Sequence, residues 1–424
     1  MNEEFLYYIW KYQLFKCQPF TASNKLINVR SPGQLNLDSG PDFFNAIIQI
    51  GNTVWAGNIE IHINSSDWYK HGHQSDPEFN NIILHVVYEH DMNIKRNSGE
   101  QIPTLELKNI ISKQLLSKYL NFSRSLIDIP CKGQLSSISR IEQLGWFDNL
   151  ISERLMQRHQ SYIRRWQNSR GDLLEIYYQN IFRYMGNYTN ADSMELLARK
   201  TPLKILQKNK NSILYLESLL FGQSGLLSSD FIDQYAKNLL MEYNYLKVKF
   251  RLSPMRNHNW KFMRMRPASF PTIRISQLAN LLYYNSCDIR SIFLNTSVSS
   301  IRNMLDIEAS EYWNDHYRFD QLSYGKPKKI GNTAMDSLII NALTPMLFSH
   351  GKNYSKPDYC DSAIKMLSDI GPENNRIIRK FKTLGINIKN AMDSQAVIHL
   401  YNFYCLKKKC ISCRFGHIIL NRKN

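Results

Sequence analysis

Gly40-Pro41-Asp42-Phe43-Phe44-Asn45 and Asn52-Thr53-Val54-Trp55-Ala56-Gly57-Asn58-Ile59-Glu60-Ile61-His62 are the two runs on which the reading of this chain turns. In the first, an aspartate follows a glycine-proline turn and leads into an apolar strand. In the second, strand alternation puts Asn58, Glu60, His62 and Asn64 on one face and Ile59, Ile61 and Ile63 on the other. The apolar face is expected to pack under a helix, leaving Glu60 and His62 at the working edge of the sheet. Asp42 lies eighteen residues before Glu60, the length of one hairpin, so two carboxylates on neighbouring strands come within reach of one divalent cation. Mg²⁺ or Mn²⁺ held by Asp42 and Glu60 polarises a phosphodiester and acidifies a water. Five of the eleven histidines (His62, His71, His73, His85, His90) fall within residues 62–90, a density that equally suits Mn²⁺ or Zn²⁺. The plainer alternative makes Asp42 a turn residue, Glu60 a solvated strand residue, and His71 and His73 part of a surface loop.

Outward from this stretch, residues 3–16 read as a helix with Phe5, Ile9 and Tyr12 on one stripe and Glu3 or Glu4 in its first turn. Strands are expected at 43–50, 53–63 and 82–89, with a weaker one at 102–107, and a loop or short capped helix at 65–73. Beyond residue 140 amphipathic helical periods dominate, separated by turn residues such as Gly186-Asn187 and Gly371-Pro372. A chain of 424 residues with 43% hydrophobic side chains has material for more than one core. The expected organisation is α+β: an α/β domain at 1–110, a connecting segment at 111–140, and an all-α basic region at 141–424. No apolar run reaches the roughly 18–20 residues that cross a bilayer, and the acidic start Met1-Asn2-Glu3-Glu4 lacks the pattern of a secretory signal. A cytoplasmic protein without membrane association is expected; oligomeric state is not encoded in any of these features.

Charge is unevenly distributed. Residues 1–100 hold 7 Lys/Arg and 11 Asp/Glu, which leaves 46 and 25 of the chain's 53 and 36 for the remainder. Acid for a metal and base for phosphates is the division that a polyanion-processing protein needs. From Tyr243 to Cys287 there is no acidic residue, while Arg256, Lys261, Arg264, Arg266 and Arg274 stand among eight positive charges with aromatics interleaved. Arginines pair with phosphates and aromatics stack on unpaired bases, so this segment is the expected nucleic-acid contact. Arg264-Met265-Arg266-Pro267 is expected to be a structured loop because proline breaks a helix. The plainer reading is a loop whose arginines cap helices or pair with carboxylates.

The C-terminus carries Cys405-x4-Cys410-x2-Cys413-x3-His417 beside Lys407, Lys408, Lys409 and Arg414. These thiols suit Zn²⁺, or an iron–sulfur cluster if Cys131 joins them; reduced cysteines closing a helical end are the alternative.

The two runs quoted above, together with Ser66-Asp67-Trp68-Tyr69-x-His71-Gly72-His73, Arg264-Met265-Arg266-Pro267-x-x-Phe270-Pro271, Asp393-Ser394-Gln395 and the terminal cysteines, resemble the bacterial family of domain of unknown function 2851. That resemblance spans nearly the whole chain and carries no activity with it. Residues 1–110 are also similar to the PD-(D/E)xK nuclease superfamily, which implies a restriction-endonuclease-like fold. On that likeness Pro41-Asp42 matches the Pro-Asp, Glu60-Ile61-His62 matches Glu-x-Lys, and Glu4 is the helix-borne acid. His62 stands where the superfamily has lysine; a histidine carries charge only when protonated, and otherwise can bind the metal itself.

Three functions follow. The first is a metal-dependent nuclease with Asp42, Glu60, His62 and Glu4 at its centre. The second is a catalytically degenerate nucleic-acid-binding protein. The third is a metal hydrolase or redox protein that uses the histidines or cysteines on a small substrate.

Overall fold

A computed structural model of the chain describes residues 2–168, 172–208 and 210–422. The fold is α+β, with a six-stranded sheet in the N-terminal part and a large helical part after it. Contacts divide the chain into two compact units, Met1–Gln143 with Leu400–Asn424, and Leu144–His399. The expected connecting segment and the last stretch of the expected all-α region therefore fall with the sheet.

In the first unit, α1 (Glu3–Lys11) buries Phe5, Leu6, Ile9 and Trp10 and packs on the sheet. Acids open the helix and Lys11 closes it, complementing its dipole. The strands are β1 (Ile27–Ser31), β2 (Gln34–Leu35), β3 (Phe43–Ile50), β4 (Thr53–Asn64), β5 (Ile82–Glu89) and β6 (Thr104–Glu106), ordered β1-β3-β4-β5-β6 with β2 also on β3. The pair β3/β4 is antiparallel, while β4/β5 and β5/β6 are parallel. Thus β4 is the middle strand. Glu60 and His62 lie inside the sheet and not at its edge, correcting the sequence expectation, and Ile82–Val87 of β5 is buried on both faces as parallel strands are.

Phe43 pairs with Ile59, so the same register brings Asp42 opposite Glu60. One extra residue then enters β3 before Ala46 pairs with Gly57. Asn45 takes the left-handed conformation there (φ 56°) and its N–H donates to Asn58 Oδ1 at 3.2 Å. Such a bulge bends the strand and re-aims the side chains beside it.

A parallel pair needs a crossover, and residues 65–81 supply it through α2 (Asp67–Lys70) and two short 3₁₀ turns. Trp68 anchors this crossover in a cluster with Phe79, Ile82, Ile94 and Ile102. The crossover brings His71 and His73 back to β4. After β6, α3 (Lys113–Ser123) is capped by Ser112, whose hydroxyl accepts from Leu115 N–H at 3.4 Å. Tyr119 of α3 stacks on Phe5 of α1 with centroids 4.2 Å apart. The terminal helix Arg414–Asn421 reaches the other side of α1, where His417 Nδ1 lies 3.0 Å from the Tyr8 hydroxyl.

The second unit has one large apolar core that includes Tyr177, Phe182, Phe221, Ile273, Trp313 and Leu347. It is helical except for a small hairpin, His316–Arg318 with Gln321–Leu322, which the sequence reading did not anticipate. Helix Pro271–Tyr284 is buried along its length from Pro271 to Leu282. Three of its polar residues find partners inside: Thr272 donates to Tyr317 O, Ser276 to Glu217 and Gln277 to Lys328 O. Helices Ile213–Ser224 and Gln234–Lys249 approach so closely that a Cβ on Gly222 would sit 2.1 Å from the Tyr243 ring. Gly222→Ala is therefore expected to destabilise the protein by about 2–3 kcal/mol, as overpacking does, seen as a lower denaturant midpoint at unchanged slope.

Candidate metal centre

Asp42, Glu60 and His62 converge. The Asp42 backbone N–H donates to Glu60 Oε2 at 3.2 Å, and Ile61 N–H donates to Asp42 Oδ2 at 2.9 Å. The Tyr7 hydroxyl of α1 donates to Asp42 Oδ1 at 2.7 Å. Glu60 Oε1 faces His62 Nε2 at 3.5 Å and His73 Nε2 at 3.4 Å. His62 Nε2 lies 3.1 Å from His71 Nδ1. His62, His71 and His73 thus have donor atoms all within 4.8 Å of one another, with the Glu60 carboxylate beside two of them.

These spacings fit a metal ion. Donors bonded at about 2.1 Å at right-angle to tetrahedral geometry lie roughly 3.0–3.4 Å apart, close to the 3.1–3.5 Å found here. His73 Nε2 is buried and has no hydrogen-bond partner, a cost that a bound cation would remove. Behind the donors, His62 Nδ1 is 2.8 Å from His85 Nε2. His85 is wholly buried and stands where an outer residue fixes a ligating imidazole by its other nitrogen.

The electrostatics point the same way. Glu60 and His62 are 4% and 2% exposed. Burial raises the Glu60 carboxyl to about 8, with the Glu3 charge adding to it. Burial and then the Glu60 charge raise Asp42 to about 7. Burial, with the neighbouring His73 and His71, drives His62 down to about 3, and burial also lowers His73 and His85. Buried acids and neutral imidazoles around one point are a cation's surroundings without its charge.

Two expectations are corrected. Glu4 is exposed, its carboxylate 3.4 Å from the Asn2 amide. Glu3, one residue earlier, shares a helix face with Tyr7 and is raised by burial and by the Asp42 charge. Sequence phase leaves both acids in the first turn, and only the docking of α1 selects between them. His90 is engaged elsewhere, with Ser65 Oγ at 2.9 Å. No sequence feature marks Tyr7, and the five-histidine density is the one signal for the buried His85 behind His62.

The basic segment lies in the second unit. Arg256, Lys261, Arg264 and Arg266 are exposed, and among the described residues none of them forms an ion pair. The loop beneath is pinned: Asn190 bonds both the N–H and the carbonyl of Lys261, and Trp260 Nε1 donates to Ser224 O at 2.8 Å. Arg274 is the exception, a correction. It is 6% exposed and donates to Gln277 at 2.8 Å, because its helix is the core of the unit. Several of the interleaved aromatics turn inward, though Tyr245 is exposed: Tyr243 and Trp260 are buried, and Phe262 and Phe270 pack edge to face under the Arg318 guanidinium.

The family described as protein of unknown function (DUF2851) matches residues 3–376. The chain is a DUF2851 protein. The matched stretch contains every donor named above and stops before Asp393-Ser394-Gln395 and the three terminal cysteines. Comparison of this DUF2851 chain with curated proteins and with solved structures gives no match. Among the described residues no helix is long and apolar enough to cross a membrane.

Proposed function

We propose that the DUF2851 chain is a divalent-ion-dependent phosphodiesterase acting on nucleic acid, with Mn²⁺ as the ion its donors suit best. The observation that carries this is the histidine group His62, His71 and His73, its donors within 4.8 Å of one another, with Glu60 Oε1 3.4–3.5 Å from two of them. Imidazole nitrogens beside carboxylate oxygens suit Mn²⁺ and its first-row neighbours better than Mg²⁺, which prefers oxygen. When bound, such an ion polarises a phosphoryl oxygen and acidifies a water.

The chain's own residues divide the remaining work. Glu60, His62, His71 and His73 hold the ion. Asp42, fixed by the Tyr7 hydroxyl and the Ile61 N–H, adds a second negative charge beside Glu60. His62, held near 3, is neutral at physiological pH. It cannot supply the positive charge that lysine gives a PD-(D/E)xK nuclease, so it serves as a ligand. Lys70, the nearest lysine in sequence, is exposed and paired with Asp67 at 2.6 Å. Support for a nucleic-acid substrate comes from the exposed Arg256, Lys261, Arg264 and Arg266 and from the excess of base over acid after residue 100.

The test is cleavage of plasmid, single-stranded DNA, RNA and bis(p-nitrophenyl) phosphate with Mn²⁺, Mg²⁺ or EDTA. The expected result is cleavage of at least one polynucleotide with Mn²⁺, slower with Mg²⁺ and absent with EDTA. Turnover of the small ester alone would make the protein a small-substrate metal hydrolase. Nucleic-acid binding without cleavage under any metal would make it a binding protein.

Binding supplies a separate prediction. Affinity for single-stranded nucleic acid is expected to fall steeply with salt, and Arg264→Ala and Arg266→Ala should each reduce the slope of log K against log salt by about 1. Arg274→Gln, buried in the core, should leave that slope unchanged while lowering stability; fluorescence anisotropy at several salt concentrations reads both.

A further inference from the structure

Four of the seven cysteines gather in the first unit, from parts of the chain more than 270 residues apart. Cys131 opens the 3₁₀ turn Lys132–Ser137, its carbonyl accepting from Gln134 N–H at 3.0 Å. Cys405 closes the wide helical turn Tyr401–Cys405. The chain then doubles back through Lys408, in the left-handed conformation (φ 56°), to Cys410, and Cys413 immediately precedes the helix Arg414–Asn421. All four are buried, at 7–8% exposure. The two segments are tied together on either side: the Tyr401 hydroxyl donates to Asp128 Oδ2 at 2.9 Å, and the Lys408 ammonium bonds the Ile127 carbonyl.

The backbone is shaped for this gathering. A Cβ on Gly416 would meet the Cys410 carbonyl at 1.9 Å, so the cysteine turn lies directly against the start of the terminal helix. A basic residue in left-handed geometry and a glycine at a contact that no side chain tolerates are local costs with a common result. Each folds the cysteine turn back against its neighbours.

The sulfurs also feel one another. Burial, then Cys413 and Cys410, raise the Cys131 thiol to about 12. Burial, then Cys413, Cys131 and Cys410, raise Cys405. Burial and Cys413 raise Cys410 to about 12. His417, also in the sequence motif, is not of this group, because its ring is taken by Tyr8 and Tyr12 of α1.

We propose that Cys131, Cys405, Cys410 and Cys413 ligate an iron–sulfur cluster of the four-iron type. Four cysteine ligands suit such a cluster and also suit zinc; spacing decides between them. Tetrahedral zinc at about 2.3 Å from each sulfur requires sulfurs roughly 3.8 Å apart. Among the described residues, the group of three or more candidate ligands with all donors within 4.8 Å is the histidine one. No three of the four described sulfurs lie all within 4.8 Å of one another, a looser set than one tetrahedral ion draws together, which favours the larger cluster. Lys407, Lys408, Lys409 and Arg414 beside the motif offset the negative charge of four thiolates. The cluster would pin Leu400–Asn424 to the segment around Cys131, and with it the helix whose His417 meets Tyr8 of α1.

The test uses the full chain, produced with added iron and purified without oxygen or affinity-tag metal. The expected result is about four iron and four acid-labile sulfide per chain, with broad visible absorbance that bleaches on reduction. Cys131→Ser and Cys410→Ser should each lower bound iron at least fivefold, while Cys287→Ser and Cys360→Ser leave it unchanged. Because a ligand variant can fail to fold, the wild-type stoichiometry decides independently. One zinc per chain without labile sulfide overturns the cluster. So does wild-type protein that holds no metal after anaerobic reconstitution with ferrous iron and sulfide.

Discussion

Glu60→Gln is expected to reduce Mn²⁺-dependent cleavage by at least about a thousandfold, the scale on which losing a central charge-stabilising group acts. Glutamine keeps the volume and can still accept the Asp42 N–H that Glu60 Oε2 accepts at 3.2 Å. What changes is Oε1, the atom that His62 Nε2 and His73 Nε2 both face. An amide there brings no charge, and its nitrogen would direct hydrogens at the proposed ion position. Metal affinity falls with the rate, and calorimetric titration with Mn²⁺ measures it. His85→Ala should act more mildly, weakening Mn²⁺ binding by about 10–100-fold, because it removes the group that orients His62 and no ligand. Glu4→Gln should stay within twofold of wild type in both assays, since Glu4 faces solvent. Full activity in Glu60→Gln, with the fold intact by circular dichroism, would remove the sheet from the catalytic site altogether.

The difference between Glu60 and Glu4 also shows what a sequence can carry. Strand alternation and an eighteen-residue separation are enough to put Asp42 across from Glu60, because pairing on a hairpin is local. The parallel pairing of β4 with β5 is not local. It turns the loop at 65–81 into a crossover and returns His71 and His73 to the strand that carries His62. Nothing in the period of residues 65–81 encodes that return. Helix phase is ambiguous in the same way, since Glu3 and Glu4 are equivalent until Tyr7 meets Asp42. Arg274 reads as a surface cation by charge, yet its helix is enclosed by the rest of its unit. The union of residues 400–424 with the sheet unit depends on contacts between chain ends, which no window of sequence contains.

The same buried site makes stability depend on pH in the absence of metal. Glu60 and Asp42 have folded pKa values raised to about 8 and about 7, above their ordinary 4.5 and 3.8. Between those limits the folded chain binds more protons than the unfolded one, so this stabilisation is complete at low pH and is lost as pH rises toward 8. The histidines act in the opposite sense. His62, lowered from 6.5 to about 3, resists protonation in the fold, so its stability is present above 6.5 and lost as pH falls. Below pH 6.5 the two effects oppose; above it only the carboxylates remain. Metal-free protein is therefore expected to lose about 2 kcal/mol between pH 6.5 and 8, measured as a falling urea midpoint. Glu60→Gln, with no proton to lose, should flatten most of that slope and be the more stable protein at pH 8, a gain of the kind that follows when a functional charge leaves a buried site. Saturating Mn²⁺ should flatten the slope in wild type by a different route, since a cation that binds the ionised carboxylates in the folded state favours that state most where they are ionised. Wild-type and Glu60→Gln curves that run parallel from pH 6.5 to 8 would place the titrating groups elsewhere in the molecule.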